Sequence, residues 1–412
     1  MPKRNYLPFL NFLLGVVLVF YSSACAENPD EFIPTETIIT DTSTQDPTIT
    51  PTITLTQTET PTPLPTDTPT WTPLPTVTLT PTTTLFVLEK TPIASDLPVL
   101  SAGNAWAISA IAEWVVDGIT DFEWTPDASS LVVATPNRIE LFDILTRKNW
   151  RSLFPQMEGI RQIEFSPGGN WLVSSSYTGT EETGHVTSLE QWYGIDLKPL
   201  GVFGVVERGL SDMEFSLNGL TLITAFSTTV EEESSVEFWD VPSWSISNTL
   251  RVGSVLDLSI SNFGQRMATS PHRYGISMWN IEDPVSMVFR NPTAFTSAIT
   301  MAQFSPDGSL LATAHYDGST RIWNAFDGTL IRTMRADSVV ESLAFSPDGS
   351  LLATSSSFDD YLVRIWRVDN GELLRTLVGH SVGVDHLLFS PFGDMLVSGS
   401  HDGQIIIWGI RP

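Results

Sequence analysis

The chain of 412 residues has one cysteine, Cys25, so no disulfide framework is possible. Positive charge is scarce as well: 21 Lys and Arg stand against 47 Asp and Glu, a formal net charge of −26. Such a balance repels phosphate backbones and anionic lipid, which argues against nucleic acid and against direct docking on a membrane. Cationic peptides, basic protein surfaces and divalent cations remain. The six histidines, His185, His272, His315, His380, His386 and His401, are scattered with no metal-ligand spacing such as H-E-x-x-H. The acidic turns lack the ladder of carboxylates that a calcium cage needs. No metal or cofactor is expected, and no helical pattern interrupts the strand signals.

What is present falls into three stretches. Residues 1–25 open with Lys3 and Arg4, run apolar from Leu7 to Phe20 and end Ser22-Ser23-Ala24-Cys25. A basic start, an apolar run too short for a comfortable span, and small residues at the end read as an export signal. Residues 26–98 are low-complexity Thr/Pro sequence such as TPTPLPTDTPTWTPLPTVTLTPTTT, with Lys90 as the sole base. Proline denies them helix or central strand, and they cannot bury a core, so a disordered stalk of polyproline II character is expected. Residues 99–412 carry the folded domain.

In that domain one phrase returns seven times: an apolar run ending in an aromatic or aliphatic residue, a tight polar turn, and a later aromatic landmark. The clearest copies are FSPDGSLLATA from Phe304, FSPDGSLLATS from Phe345 and FSPFGDMLVSG from Phe389. Weaker ones begin at Trp124, Phe165, Phe215 and Ile260, and the landmarks are Phe142, Trp192, Trp239, Trp279, Trp323, Trp366 and Trp408. A repeat of about 40 to 50 residues built only of strand signals is a propeller blade. In the sixth repeat the strands read Ser342 to Phe345, Leu351 to Ser355, Tyr361 to Arg367 and Glu372 to Leu377, with Asn370-Gly371 as a two-residue reversal. The expectation is an all-β fold, a seven-bladed propeller of four-stranded antiparallel blades. The last repeat has no sequence left for its outer strand. The run Ala107 to Val116 is therefore expected to pair with the strand around Ile405 to Trp408 and close the ring.

These motifs resemble the WD-repeat family over roughly residues 101 to 412. In the last repeat Gly379-His380 precedes the first strand, Ser398 lies in the second, Asp402 in the next hairpin and Trp408 in the third. The resemblance implies that His380, Ser398, Asp402 and Trp408 form a hydrogen-bonded chain that locks the blade, since a buried imidazole and indole N–H need partners. Repeat five keeps Thr313, Asp317 and Trp323 with Phe295 in the histidine place, and repeat six keeps Thr354 and Trp366 with Ala336 there. The end of the export signal resembles a bacterial lipoprotein signal, which implies lipidation of Cys25 and a tether on the extracytoplasmic face of a membrane. That family prefers Leu where this chain has Ser22, so ordinary cleavage with secretion, or an uncleaved anchor, stays open.

Length variation points to a working surface. Repeats two and three carry extra residues between their second and third strands, with Glu181 and Glu182 in one and Glu231, Glu232 and Glu233 in the other. Insertions on one face of a repeat protein are where binding specificity is usually built, and the alternative is a pair of solvated loop tips. The reading is a membrane-tethered, non-catalytic scaffold for a protein partner, a basic one by charge. Two alternatives stand beside it. A hydrolase or lyase using the central channel needs a convergent polar set at the inner strands, which look mostly apolar, as in Ser342-Leu343-Ala344-Phe345. Gly379-His380-Ser381-Val382-Gly383 fits the G-x-S-x-G elbow, but a strand signal follows where that elbow needs a helix. A carbohydrate or wall lectin would use Trp106, Trp171 or Trp244, although Trp in such repeats is more often core.

Overall fold

The computed structural model describes residues 93–411, apart from 95, 147, 181–183, 195, 228–233, 254, 262–264, 271–274, 282–285, 292–296 and 358–359. The expected export signal with Cys25 and most of the Thr/Pro stretch lie outside the described residues. Among the described residues the fold is all-β, with seven sheets of four antiparallel strands each and one 3-10 turn at Ala105–Ala107. Seven blades are numbered here by their inner strands: Asp121–Trp124, Ile160–Phe165, Gly209–Phe215, Asp257–Ile260, Ile299–Phe304, Val340–Phe345 and Val384–Phe389.

Packing follows from the composition of each layer. The second strands of blades 1 and 6, Ser130–Thr135 and Leu351–Ser356, are buried along their whole length. Small and β-branched side chains suit strands covered on both faces. Outer strands such as Ser245–Arg251 are exposed at nearly every position. The core lies between blades: Ala312, Ile322 and Met334 of blade 5 meet Leu343, Phe345, Leu352 and Trp366 of blade 6.

The turns after the inner strands satisfy themselves. Ser305 Oγ donates to Asp307 Oδ1 at 2.6 Å, the Ser309 amide donates to the same oxygen at 3.1 Å, and the Leu310 amide donates to Ser305 Oγ at 3.0 Å. Ser346, Asp348 and Ser350 repeat the arrangement in blade 6. The carboxylates are consumed within the turn. The reversal at Asn370-Gly371 differs from the two-residue hairpin read from sequence. Only Gly371 has a positive φ, of 75°, and a bulge at Ile365/Trp366 absorbs the extra residue.

Ring closure matches the expectation. Ser109–Val115 is the outer strand of blade 7, antiparallel to Gln404–Gly409, from Ser109↔Gly409 to Val115↔Gln404. Gln404 Nε2 donates to Glu113 Oε1 at 2.6 Å across the seam, and the Val116 amide donates to Gly403 O at 2.8 Å. The lead-in packs too: Leu100 and Ile108 are fully buried against blades 6 and 7, and Ile93 is buried in the core shared by blades 7 and 1.

Antiparallel order gives the ring two unlike faces. One collects the connections from inner to second and from third to outer strands, as the Ile144 amide bonded to Ser129 O shows. This is the turn face. The other collects the second-to-third and outer-to-next-inner connections, joined for example by the Gly159 amide on Pro136 O. This is the loop face. The chain enters along the turn face, where the Ile93 amide donates to Leu145 O at 3.3 Å and the Leu100 amide to Gly393 O at 2.8 Å.

Candidate interaction face and channel

Exposed carboxylates occur on both faces: Asp127, Asp196, Asp307, Asp327, Asp348 and Asp369 on connections of the turn face, and a second set on the loop face. Asp117, Glu158, Glu207, Asp337 and Asp402 stand exposed on its connections. Above it rises the blade-2 hairpin, in which Trp171–Thr180 pairs with Gly184–Tyr193 as far as Thr180↔Gly184. The inner strand supports it only to Ser176 and the outer strand only to Thr187, so the hairpin projects beyond both neighbours. The insertion read from sequence is thus a two-stranded finger on this face. Glu181 and Glu182 at its tip, and Glu231, Glu232 and Glu233 in blade 3, lie outside the described residues.

The channel departs from the expectation of apolar inner strands. Positions three and one before the end of each inner strand face the axis. They hold Asp121 and Glu123, Gln162 and Glu164, Asp212 and Glu214, and Asp257 and Ser259 in blades 1 to 4. In blades 5 to 7 the same positions are Met301 and Gln303, Ser342 and Ala344, and His386 and Leu388. The Ser-Leu-Ala-Phe run of blade 6 is the exception among the seven.

The reason for this polarity is the unpaired edge of each inner strand, whose amides need acceptors. The neighbouring blade supplies them. Asp121 Oδ2 accepts the Ile163 amide at 2.9 Å, Asp212 Oδ2 the Leu258 amide at 2.9 Å, and Asp257 Oδ2 the Ala302 amide at 2.6 Å. One layer along, Glu214 Oε2 accepts the Ile260 amide at 2.7 Å and Glu164 Oε1 the Phe215 amide at 3.5 Å. Neutral groups do the same work further round: Ser259 Oγ takes the Phe304 amide at 3.2 Å and Gln303 Oε1 the Phe345 amide at 3.0 Å.

Crowding six carboxyls into a half-buried lining raises their affinity for protons. Loss of solvation pushes Glu123 up to about 8, with Asp121 beside it adding to the effect. Desolvation likewise holds Asp212 near 7 against the pull of its two backbone donors. Glu164, Glu214 and Asp257 are raised well above the carboxylate range, by desolvation first and by their acidic neighbours second. Asp121 is raised by desolvation and partly relieved by His386 on the adjacent blade 7. Among the described residues no group of three or more His, Cys, Asp or Glu is placed to hold a metal ion.

Landmark tryptophans lock six blades through one bond type. Trp192, Trp239, Trp279, Trp323, Trp366 and Trp408 each donate Nε1 to a hydroxyl on the second strand, that of Ser174, Thr224, Thr269, Thr313, Thr354 and Ser398, at 2.8–3.0 Å. Blade 1 has Phe142 there and no donor. In blade 7, His380 Nε2 lies 2.6 Å from Ser398 Oγ, as the resemblance implied. The fourth member differs: Asp402 is bonded by Ser400, by the Gln404 amide at 3.1 Å and by Ser381 Oγ at 3.3 Å, while His380 Nδ1 makes no hydrogen bond.

Blade 5 fills the histidine role from another place. His315, two residues beyond Thr313 on the same strand, puts Nε2 2.8 Å from Thr313 Oγ1, so imidazole and indole share that hydroxyl. Phe295, at the expected histidine position, lies outside the described residues. Burial pushes both His315 and His380 down to about 4. Thr313→Val should therefore cost about 2 kcal/mol in urea unfolding, because two buried groups lose their partner, and Thr354→Val about half that. Equal losses would show that His315 draws nothing from Thr313.

A family model described as WD domain, G-beta repeat (WD40) matches residues 151–180, 287–324, 328–367 and 371–409. Four stretches of the chain thus match a WD repeat. Three of the matched stretches start on the outer strand of one blade and end on the third strand of the next, so a WD repeat and a blade are offset by one strand. Similar proteins include Protein FIZZY-RELATED 3 of Arabidopsis thaliana, 26% identical over 163 residues, 38% of this chain and 33% of that protein. Periodic tryptophan protein 2 of Arabidopsis thaliana is 22% identical over 266 residues, 60% of this chain and 29% of that protein. Apoptotic protease-activating factor 1 of Rattus norvegicus is 26% identical over 261 residues, 61% of this chain and 20% of that protein. The chain spans about a third or less of the length of these curated relatives. The match to the WD-repeat model supports a protein-interaction role.

Other sequence candidates take their places in the ring. Ser381 sits in the connection before the strand Val384–Phe389, and the His380 ring turns to Ser398, so the elbow sequence lacks both its helix and its base. His401, adjacent to Asp402 in sequence, pairs instead with Asp385, Nδ1 to Oδ2 at 2.8 Å, and that bond raises its proton affinity. Trp171 and Trp244 are half-buried against each other, ring centroids 5.1 Å apart, with Phe203 4.3 Å from Trp244. Trp106 is the exposed member of the three, at 71%.

Proposed function

We propose that this WD-repeat propeller is a protein-interaction platform without catalysis of its own. It offers its acidic loop face to a basic partner, from the extracytoplasmic side of a membrane to which Cys25 tethers it. The observation that carries the reading is the blade-2 hairpin, which projects from the loop face beyond both neighbouring strands, above connections that hold exposed carboxylates. Glutamates 181, 182 and 231 to 233 extend that charge by sequence. Opposite charge steers association more than it adds affinity.

The test is crosslinking and capture from cell-envelope material with the full chain. Wild type should partition with membranes, and Cys25→Ser should not. Replacing Glu181, Glu182, Glu231, Glu232 and Glu233 by Gln should slow association with the captured partner about tenfold at low salt, and wild-type capture should weaken as salt rises. Stability should shift by less than about 0.5 kcal/mol. Equal affinities at low and moderate salt would remove the loop face from the reading, and a membrane-bound Cys25→Ser would remove the tether.

One observation favours a second reading, hydrolase or lyase chemistry in the channel: carboxyls of raised proton affinity converge there, as acids and bases of active sites do. Against it, five of the six already spend an oxygen on a backbone amide of the next blade.

A further inference from the structure

We propose that the channel carboxyls make blades 1 to 4 a proton-operated half-ring, closed on the axis when protonated and loosened by ionisation while blades 5 to 7 hold. The inference goes beyond the interaction reading and does not depend on it. It rests first on placement. Asp121, Glu123, Glu164, Asp212, Glu214 and Asp257 occupy consecutive blades, and the acceptors that continue the same bonding pattern in blades 4 and 5 are the neutral Ser259 and Gln303. Asp121, Glu164, Asp212, Glu214 and Asp257 each give one oxygen to an amide of the next blade, so these five sit on the blade interfaces themselves, and Asp121 and Asp212 use the other oxygen on the amide of Phe122 or Met213 beside them.

Other charges facing the cluster are few. His386 faces it from the adjacent blade 7, its ring 5.7 Å from that of Phe122. Arg161 lies over Tyr177, 5.3 Å from its ring, at the loop-face rim, and Glu341, Asp385 and His401 occupy the rim of blades 6 and 7. Behind the inner strands, buried Glu190 accepts the Gln156 amide at 2.9 Å. No described Lys or Arg stands among the six carboxyls to balance them.

The sign follows from linkage. These carboxyls bind protons more tightly folded than unfolded, so their contribution is complete below about pH 4 and is lost as pH rises toward and past 8. The buried His315 and His380, lowered to about 4, act oppositely, but only below about 6.5. His401, raised by Asp385, shares the sign of the carboxyls but belongs to blade 7. The window that isolates the half-ring is therefore pH 6.5 to 8.5, read blade by blade.

Amide hydrogen exchange of the full chain supplies that reading, because the molecule contains its own control. After correction for intrinsic rate, the amides of Ile163, Phe215, Leu258, Ile260 and Ala302, bonded to carboxyls, should open at least tenfold more at the upper pH. Those of Phe304 and Phe345, bonded to Ser259 and Gln303, should change less than twofold. Glu164→Gln with Glu214→Gln keeps both acceptors and should cut the response to less than threefold. An equal change in both sets of amides, no change in either, or a full response in the double variant would each overturn the proposal. Should the variant fail to fold, the two sets within wild type still decide it.

Discussion

A chain shortened to begin at Thr120 should fail to fold cooperatively. The loss removes Ser109–Val115, every backbone bond it makes to Gln404–Gly409, and the buried side chains of Leu100, Ile108, Ile111 and Val116. At about 1.5–3 kcal/mol for each large aliphatic side chain, the four amount to about 6–12 kcal/mol, comparable to the whole stability of an ordinary domain. The exposed edge would then be Gln404-Ile405-Ile406-Ile407-Trp408, an apolar strand with open hydrogen-bonding groups and a template for aggregation. Thermal unfolding by circular dichroism with size-exclusion chromatography measures both effects. A soluble monomer melting within a few degrees of the full chain would show that the ring closes some other way.

Gly403→Ala attacks the same seam with one methyl group. Gly403 has φ +82°, and a Cβ there would stand 2.1 Å from Val116 O, a backbone atom with no rotamer to escape into. Positive φ costs a residue with a side chain about 1 kcal/mol, and displacing Val116 also breaks its amide bond to Gly403 O. The substitution should cost roughly 3 kcal/mol in urea unfolding, high for a single residue. Gly194 is the control. Its φ is +76° with nothing within 4 Å of a built Cβ, so Gly194→Ala should cost only about 1 kcal/mol. Similar losses at both sites would mean that the seam yields without penalty.

Most of the architecture was legible because its signals are local and repeated. The seven turns, the landmark tryptophans and the stranded run before the first repeat each sit at a fixed offset, and the closing strand followed from counting strands. The channel was legible too, in the pattern Asp-Phe-Glu-Trp at 121–124, Gln-Ile-Glu-Phe at 162–165 and Asp-Met-Glu-Phe at 212–215. Aligning repeats on their final aromatic residue exposes it; generalising from Ser342-Leu343-Ala344-Phe345 hides it. The blade-5 lock was not legible, because His315 reaches Thr313 by the two-residue alternation of a strand instead of from the connection where a WD repeat keeps its histidine. Nor does sequence tell that Asp402 turns toward Ser400 and Ser381, since that choice is made by rotamers at the hairpin.

The route of entry has a mechanical consequence. Ile93 and Leu100 are fastened to Leu145 and Gly393 on the turn face, so a pull on the chain upstream of Ile93 is delivered there, beside blades 1 and 7. Tension would orient the disc like a parasol held by its handle, with the acidic loops directed away from the line of force. Those first fastenings would also bear the load before it reached the closing strand, so the loop face would be the last to feel the strain.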